Sequence, residues 1–489
     1  MTSMPAFPSL TRRSLLAGGA AMGALALAGR WSSARAEPLL TVDTAVLEVN
    51  GKPAKVFTVR GPSGDGLFAK AGERLAGPLL NATDLPLVMH WHGQVLAPPE
   101  EDRARPGGGA LSAGATDFVN FELTPGTHWM HSHTLSEQQL LAAPLVTRED
   151  DAGDVQDVVV MLHDFSFRTP QEILAGLGGG TAPGGHGAHG AATPAAPAAR
   201  GNAMAGMDHS AHGASGAGAV MVHANDVAYD AFLANRRTLA DPEVVQVEKG
   251  ARVRLRLING GTATAFFISV PDLRPRCVAV DGSPCEPLGA EVFPLAQGQR
   301  IDLVVRIPAT GGAFPVLAQV EGSDRRTGVV LATAGAAIPR VAETADTPQG
   351  LIDLGFEGRL AASRPLDEKP ADRVFPVMLG EESGYRWTIN GATYAEGVAP
   401  FAASSGERVE MTFMNPTAMS HPMHLHGHHF QVVGIGGKRF PGPVRDTVLV
   451  PPQVPVTIAF DAGQKGEWYL HCHHLYHMAA GMMSVLKVA

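Results

Sequence analysis

The sequence predicts an all-β protein in which three β-sandwich domains follow one another along the chain. Its 489 residues correspond to about three domains of ordinary size. Glycine (57) and proline (37) are plentiful and aromatic residues make up only 6%, which favours many short strands and turns over long helices. Residues 253–259 and 409–413 alternate apolar and polar side chains with period two, the pattern of a half-buried strand.

Residues 1–36 are predicted to form a twin-arginine signal peptide. Arg12 and Arg13 precede an apolar run over 15–28, and a small-x-small cleavage motif ends at Ala36. The run is too short to span a bilayer, and no later stretch has a transmembrane pattern. We therefore expect export of a folded protein to the periplasm, without stable insertion in a membrane.

The rest of the chain divides by composition into three domains, an insertion and a connector. Residues from about 175 to 220 are rich in Gly, Ala and Pro. Such a composition cannot bury enough apolar surface to fold alone, so a mobile insertion is predicted there. The predicted units are a first domain at 37–152, a second domain at 153–340 that contains the insertion, a connector at 341–373 and a third domain at 374–489.

The charge and cysteine content narrow the function classes. The formal net charge of −9 comes without a basic stripe, so nucleic acid is not an expected partner. Cys277 and Cys285 lie on either side of a turn signal. In an oxidising compartment they could pair, although two buried free thiols fit the sequence equally well. The third cysteine, Cys472, stands apart among histidines.

Four His-x-His pairs mark the two ends of the mature chain. Residues two apart in a strand point to the same face, so each pair presents two imidazoles side by side. Eight neutral imidazoles facing one point form a costly cluster unless a cation binds them, and imidazole suits copper, zinc, iron and nickel. The pairs are His90/His92, His131/His133, His424/His426 and His471/His473.

Cys472 discriminates among these metals. It lies inside the last His-x-His pair, so its thiolate points to the opposite face of the strand. There it can meet His477 and Met482, which follow closely, and His421 is free to join them. Two His and one Cys with a weak axial Met form the blue-copper set used in electron transfer, whereas structural zinc sites favour more thiolates. An electron taken up here needs only to cross the Cys472 backbone to reach the paired histidines.

As a set, these motifs resemble the four signature motifs of the multicopper oxidases, a family that includes laccases, cuprous oxidases and bacterial copper-resistance oxidases. The resemblance covers most of residues 40–489 apart from the insertion. It implies three consecutive cupredoxin-like Greek-key domains, with a three-copper cluster between the first and the third. It also implies a laccase-like enzyme that couples one-electron oxidation of a donor to four-electron reduction of O2 to water. The motifs are His90-Trp91-His92-Gly93, His131-Ser132-His133, residues 421–427 and the segment from His471 to Met482.

Carried over residue by residue, the resemblance implies four copper ions of three kinds. One is the blue, or type 1, copper, one is a type 2 copper, and two are type 3 coppers. The implied ligands are His421, Cys472, His477 and Met482 for type 1; His90 and His424 for type 2; His92, His131 and His473 for one type 3 ion; and His133, His426 and His471 for the other.

Reduction of O2 also needs protons, so a carboxylate close to the cluster is expected. The family usually has an Asp-Gly pair after the first motif, and here Glu101 or Asp102 could serve, although the Gly is missing. Some relatives carry an acid directly after the blue-copper histidine, where this chain has Met478. Asp446 matches a place where the family keeps a polar residue near the blue copper, or it is a turn carboxylate.

The electron donor is less defined by the sequence. A Met- and His-containing stretch at 205–213 resembles one copy of a motif of the copper-resistance oxidases, and such groups can capture Cu(I). A solvated linker fits that stretch equally well. The expected donors are a phenol, Cu(I) or Mn(II). The alternative function is that of an envelope copper-binding protein whose role in copper tolerance is capture.

Overall fold

The computed structural model describes residues 39–150, 153–178 and 223–489, and almost all of its regular structure is β. The predicted signal peptide and most of the predicted insertion, including its Met- and His-containing stretch, lie outside the described residues. Within the described part, each of three successive units folds into two packed sheets with its own apolar core. The all-β prediction is therefore confirmed.

The first unit consists of a sheet ordered β3-β2-β1-β5-β7 and a sheet ordered β4-β9-β8-β6. A two-residue Asn50-Gly51 turn, with φ of 52° and 77°, joins β1 to β2, because a tight hairpin needs two residues in the left-handed region. The strands are β1 (Leu40–Val49), β2 (Lys52–Gly61), β3 (Gly64–Asp65), β4 (Leu67–Lys70), β5 (Arg74–Asn81), β6 (Met89–His92), β7 (Thr116–Glu122), β8 (Gly126–Ser132) and β9 (Ala142–Arg148).

The second unit pairs a sheet ordered β11-β10-β13-β18-β15-β16 with a sheet ordered β12-β20-β19-β14-β17. One helix, α1 (Pro170–Gly178), follows its first strand. The strands are β10 (Gln156–Phe165), β11 (Ala231–Ala234), β12 (Val244–Gln246), β13 (Arg252–Asn259), β14 (Phe266–Ser269), β15 (Arg276–Val280), β16 (Ser283–Gly289), β17 (Val292–Leu295), β18 (Arg300–Arg306), β19 (Ala313–Val320) and β20 (Arg326–Ala332).

The third unit has a sheet ordered β22-β21-β24-β30-β26-β27, with β28 beside β26, and a sheet ordered β23-β32-β31-β25-β29. A short helix, α2 (Leu475–Ala479), follows β31. The strands are β21 (Arg373–Glu382), β22 (Arg386–Ile389), β23 (Phe401–Ala403), β24 (Arg408–Met414), β25 (His421–Leu425), β26 (Phe430–Ile435), β27 (Lys438–Arg439), β28 (Val444–Arg445), β29 (Thr447–Val450), β30 (Val456–Asp461), β31 (Gly466–Cys472) and β32 (Met483–Val488).

The three units share one pairing pattern. In each, the opening strand of the first sheet pairs in parallel with a later strand: β1 with β5, β10 with β13, and β21 with β24. The second sheet of each unit contains another parallel pair: β4 with β9, β12 with β20, and β23 with β32. Two chain segments distant in sequence must therefore meet in every unit, as a Greek-key sandwich requires.

Strand register gathers the histidines at the contact between the first and third units. β6 pairs with β8 so that His90 lies opposite His131, and β25 pairs with β31 so that His424 lies opposite His471. Helix α2 buries its apolar side chains in the core of the second unit, which fixes the end of β31 from outside. No helix in the described ranges is long and apolar enough to cross a membrane.

Candidate metal centre

The eight paired histidines form one buried cluster in which ring nitrogens face each other. His426 Nε2 and His133 Nε2 lie 3.1 Å and 3.2 Å from His471 Nε2. His426 Nδ1 contacts the Ala104 carbonyl and His471 Nδ1 the Cys472 carbonyl. Because a carbonyl only accepts, both Nδ1 atoms carry the hydrogen, and the Nε2 atoms face each other as lone pairs. Such an arrangement needs a cation between the rings.

His90 and His424 repeat this arrangement. Their Nε2 atoms are 3.2 Å apart. His424 Nδ1 lies 2.8 Å from the Asp446 carbonyl, and His90 Nδ1 lies 2.6 Å from Asp102 Oδ2. The nitrogens that do not face the cluster are thus already partnered, as is usual for metal-binding histidines.

The remaining three histidines present buried nitrogens that have no hydrogen-bond partner among the described residues. These atoms are His92 Nδ1, His131 Nε2 and both ring nitrogens of His473. The three rings lie close together, with centroids between 5.1 and 5.6 Å apart. Buried polar atoms are rarely left unpaired, so these nitrogens indicate a missing ligand rather than a packing fault.

Burial keeps the cluster neutral. It lowers the pKa of His424 to about 4 and that of His133 to about 3. Burial first, and the neighbouring imidazoles second, also hold the pKa of His90, His92, His426, His471 and His473 well below the ordinary value. Neutral imidazole is the form that binds metal ions.

A second group of ligand atoms lies on the other face of β31. Cys472 Sγ is 3.7 Å from His421 Nδ1 and 3.8 Å from His477 Nδ1, and the two Nδ1 atoms are 3.2 Å apart. His421 Nε2 contacts Thr417 Oγ1 at 2.8 Å, which leaves its Nδ1 free. Met482 is fully buried in the same core. Burial raises the pKa of the Cys472 thiol, so its thiolate needs a cation beside it.

Aromatic and acidic side chains enclose the outer side of this group. Trp387 stacks on His477 with ring centroids 3.9 Å apart. Asp226 lies 3.5 Å from His477 Nε2, and the Tyr385 hydroxyl donates to Asp226 at 2.5 Å. The described residues therefore leave no direct solvent path to His477, which is fully buried.

Buried carboxylates support the cluster from behind. Asp102 and Glu137 contact the Nδ1 atoms of His90 and His131, at 2.6 and 2.9 Å. Burial raises the pKa of Asp102 to about 7. A carboxylate on the far nitrogen of a metal-binding histidine fixes the ring orientation and its hydrogen position.

Asp446 belongs to a buried charge network at the same place. Its Oδ1 lies 3.0 Å from His92 Nε2, and Arg300 donates to both of its carboxylate oxygens at 2.7 and 2.5 Å. Burial alone would raise the pKa of Asp446, but the Arg300 guanidinium outweighs it and holds the pKa below its usual range. Asp446 is therefore a fixed negative charge beside the cluster.

The donor set fits copper. One group, His421/Cys472/His477, combines a thiolate with two imidazoles. The other is almost purely imidazole, and His133/His426/His471 is one of its sets of three ligand atoms. Two His and one Cys is a copper electron-transfer set, and clustered imidazoles also suit copper.

Comparisons with known proteins agree. Two family models, both described as multicopper oxidase, match residues 197–343 and 368–489, together more than half of the chain. The multicopper oxidase MmcO of Mycobacterium tuberculosis is 28% identical over 459 residues, covering 91% of this chain and 86% of that protein. The chain belongs to the multicopper oxidase family. It is therefore an oxidoreductase of a copper-dependent family.

Two further matches are a copper resistance protein and a laccase. Copper resistance protein A of Escherichia coli is 22% identical, and the match covers 92% of each protein. The crystal structure of a laccase from Botrytis aclada matches with a TM-score of 0.71 at 21% identity, covering 92% of this chain and 86% of that one. The predictions of the family and of three cupredoxin-like domains are thus confirmed.

The two carboxylates proposed to carry protons, Glu101 and Asp102, have different surroundings in the structure. Asp102 reaches the cluster, whereas Glu101 accepts the Asn120 backbone N–H at 2.9 Å and lies away from it. The expectation that Asp446 lies near the blue-copper group is wrong. Because β25 pairs with β29 so that His424 faces Thr447, Asp446 falls at the His424 end of the strand.

Sequence reasoning missed three supporting residues. Glu137, Arg300 and Asp226 come from three different places in the chain and reach the site only through tertiary packing. Glu137 alone left a local signal, since it follows the second His-x-His pair on the same short turn, a 3-10 helix over Leu135–Gln139.

Proposed function

We propose that this protein is an oxidase that couples one-electron oxidation of a phenolic donor or Cu(I) to the four-electron reduction of O2 to water. The observation that carries the proposal is the set of opposed Nε2 atoms, 3.1–3.2 Å apart, with the Nδ1 atoms of His90, His424, His426 and His471 already partnered. A bound cation would stabilise such a set, and a cluster of several redox ions would give it a use in an oxidoreductase.

We assign four copper ions to the ligand sets given by the family resemblance. Copper, when bound, supplies reversible one-electron chemistry and a store of electrons for O2. The chain supplies the geometry: the type 1 ligands come from β25, from Cys472 and from the segment that follows it, and the type 2 and type 3 ligands come from the His-x-His pairs. The proposed ligands are His90, His92, His131, His133, His421, His424, His426, His471, Cys472, His473, His477 and Met482.

Cys472 gives electrons a short covalent route. It is bonded on either side to His471 and His473, so the Cys472 sulfur and the cluster imidazoles are separated by a few bonds of one strand. Trp387 and the apolar core around Met482 keep water from the sulfur. A dry site reduces the rearrangement that accompanies a change of charge.

Asp102 is the proposed proton carrier. It is buried beside His90, and its pKa of about 7 allows its Oδ2 to hold or release a proton near neutral pH. It lies on the first unit, where the Arg105 side chain caps its backbone carbonyl. Some relatives carry an acid directly after the blue-copper histidine, but this chain has Met478 there, which cannot carry a proton. Asp102 would take over that role.

The surroundings of His477 favour a cationic electron donor in addition to a phenol. Asp226 is next to His477, and burial together with the charge of Asp226 raises the pKa of Glu381, which marks a second carboxylate nearby. The chain re-enters the described part at His223, whose N–H donates to the Ala418 carbonyl, three residues before His421. The first described residue after the predicted insertion therefore lies at the electron-entry side.

The stoichiometry of turnover tests the reaction. With a phenolic donor, we expect about four donor molecules oxidised per O2 consumed and no accumulation of hydrogen peroxide. Cys472→Ser should abolish both the blue absorption and turnover, while Cys285→Ser, at a buried cysteine of the second unit that is not a proposed copper ligand, should keep both. Release of peroxide, or full activity in Cys472→Ser, would contradict the proposal.

The donor is tested separately. We propose that residues 180–218 capture Cu(I), so their deletion should reduce oxygen uptake at limiting Cu(I) and leave phenol oxidation unchanged. Unchanged Cu(I) turnover at limiting Cu(I) would show that these residues do not capture Cu(I). Copper binding without any turnover would instead support the second candidate, a copper-capture protein for copper tolerance, consistent with the similarity to copper resistance protein A.

We also propose export to the periplasm through the twin-arginine route. The support is Arg12-Arg13 and the short apolar run that follows. Replacing both arginines by lysine should retain the protein in the cytoplasmic fraction.

A further inference from the structure

Two buried thiols lie in contact at the base of a hairpin in the second unit. Cys277 on β15 and Cys285 on β16 have their Sγ atoms 3.6 Å apart, and both thiols are free in this structure. The register of β15 and β16 shifts between Cys277 and Ala279, and this bulge brings the two diagonal side chains together. The side chains thus already face each other, and little backbone movement is needed to join them.

The surroundings suit thiol exchange. The hydrogen bond from Cys277 and the guanidinium of Arg445 lower the pKa of Cys285, whereas the contact with Cys285 and burial raise the pKa of Cys277. Cys285 also lies on β16, the edge strand of its sheet. The connector covers that edge, through hydrogen bonds from Glu286 N to the Ala361 carbonyl and from Ser363 N to the Pro284 carbonyl.

The hairpin ends in a turn that backs the histidine cluster. Asp281 and Gly282 form this turn with φ of 48° and 77°. Asp281 is fully buried, and its Oδ1 accepts the Arg300 backbone N–H at 2.8 Å. Its Oδ2 faces the backbone N–H groups of Asp446 and Thr447 at 3.3 Å.

The turn also touches the ring network beside the cluster. A Cβ on Gly282 would lie 2.3 Å from His128 Cε1, so this turn fits directly against that ring. Arg300 holds the carboxylate of Asp446, which in turn contacts His92. Movement at the hairpin base would therefore reach the cluster through Asp281.

We propose that Cys277 and Cys285 are a modification site, oxidised to a disulfide by a low-molecular-weight disulfide after folding, and that this bond locks the hairpin against the histidine cluster. The Cys285 thiolate attacks the reagent disulfide and releases one reagent thiol. Cys277 then attacks the Cys285 sulfur and releases the second. The protein loses two electrons and two protons, and the reagent disulfide is reduced to two thiols.

A thiol count on the copper-loaded full chain tests the site. The protein is incubated with oxidised glutathione or with dithiothreitol, then unfolded in guanidinium that contains a chelator and N-ethylmaleimide. We expect one alkylated cysteine, Cys472, after oxidation and three after reduction, with a peptide that links 277 to 285. The count does not depend on copper loading or turnover, so it can fail without affecting the proposed function.

Single variants supply the matched controls. Cys277→Ser and Cys285→Ser should each keep two cysteines that never link, and Cys277→Ser should instead accept glutathione at Cys285. The oxidation is repeated at a urea concentration where the buried thiols react with a thiol reagent. Three alkylated cysteines after oxidation under both conditions would contradict the proposed disulfide. A stable glutathione adduct on the unaltered chain, or a link to Cys472, would do the same.

Hydrogen exchange tests the locking. The amides of Asp446 and Thr447 should exchange at least about threefold more slowly in the disulfide form, because the turn that accepts from them is held in place. Amides of β24, which lie away from the hairpin, should be unchanged. Equal exchange at Asp446 and Thr447 in both forms would contradict the coupling while leaving the disulfide itself intact.

Discussion

Glu101 and Asp102 are neighbours in the chain but meet different surroundings. Asp102 is buried against His90, and Glu101 faces the Asn120 backbone at the surface. Asp102→Asn should lower turnover roughly 10- to 100-fold, the usual cost of disturbing a group that orients a metal ligand. Glu101→Gln should have little effect, and steady-state oxygen uptake measures both. Equal losses in the two variants would contradict the assignment of Asp102.

Met482 is the proposed weak ligand of the electron-entry group. Leucine keeps the volume of the fully buried side chain but removes the sulfur, so stability should change by less than about 1.5 kcal/mol. Met482→Leu should retain the blue absorption and raise the reduction potential, because the axial ligand tunes it. Potentiometric titration gives the potential, and an unchanged value would show that the Met482 sulfur is not a ligand.

Residue spacing predicted which histidines come together better than it predicted the residues that support them. The facing of the His-x-His pairs and of Cys472 can be predicted from the sequence, because a strand fixes which side chains share a face. Arg300 and Asp226 could not be predicted from local sequence, since both come from the second unit and reach the site only across its interface with the third. Asp446 shows the limit: its neighbourhood depends on the register of β25 with β29, which no local pattern reveals.

At the level of elements, the loop before β18 supports the cluster by close approach. Gly298 has φ of +78°, and a Cβ there would lie 2.6 Å from His473 Cδ2. Gly298→Ala should therefore displace the His473 ring, reduce copper content and destabilise the fold by roughly 1–3 kcal/mol. Copper analysis and thermal unfolding measure the two effects.

Gly406 is the matched control for this loop. Its φ of +85° is similar, but nothing lies within 4 Å of an added Cβ. Gly406→Ala should cost only the backbone strain, about 1–2 kcal/mol, and leave the copper content unchanged. Loss of copper in both variants would mean that strain, rather than contact with His473, controls the site.

For the whole molecule, one buried carboxylate couples the fold to pH. Glu321 follows β19 and accepts the Ile352 N–H of the connector at 2.6 Å. Burial raises its pKa to about 7, so the folded state holds this proton more tightly than the unfolded state. Its contribution to stability therefore falls as pH rises from about 4.5 to 7 and stays low above that.

Glu321→Gln should remove this dependence. The free energy of unfolding of the variant relative to the original chain should rise between pH 5 and pH 8, by up to roughly 3 kcal/mol. Denaturant unfolding at both pH values measures the difference, and Glu286→Gln, at an exposed position of the same unit, is the matched control. A constant difference would contradict the raised pKa.

The large-scale organisation was more accessible to sequence reasoning than the contacts between units. Composition and period-two alternation predicted three sandwiches. This prediction was possible because each sandwich carries its own apolar core. The packing of helix α2 against the second unit was not predictable, since Leu475 and Tyr476 could equally have belonged to the core of the third. That contact holds β31, which carries Cys472, between two domains.

The central claim is that the opposed histidines and the Cys472 group bind copper as two distinct centres. The most direct test is copper analysis of the purified full chain, combined with optical and electron paramagnetic resonance spectra of the same sample. We predict four copper ions per chain, an intense blue band that Cys472→Ser removes, and a paramagnetic signal from only about half of the copper, because paired ions couple. A single copper per chain, or four that all give independent signals, would contradict the account.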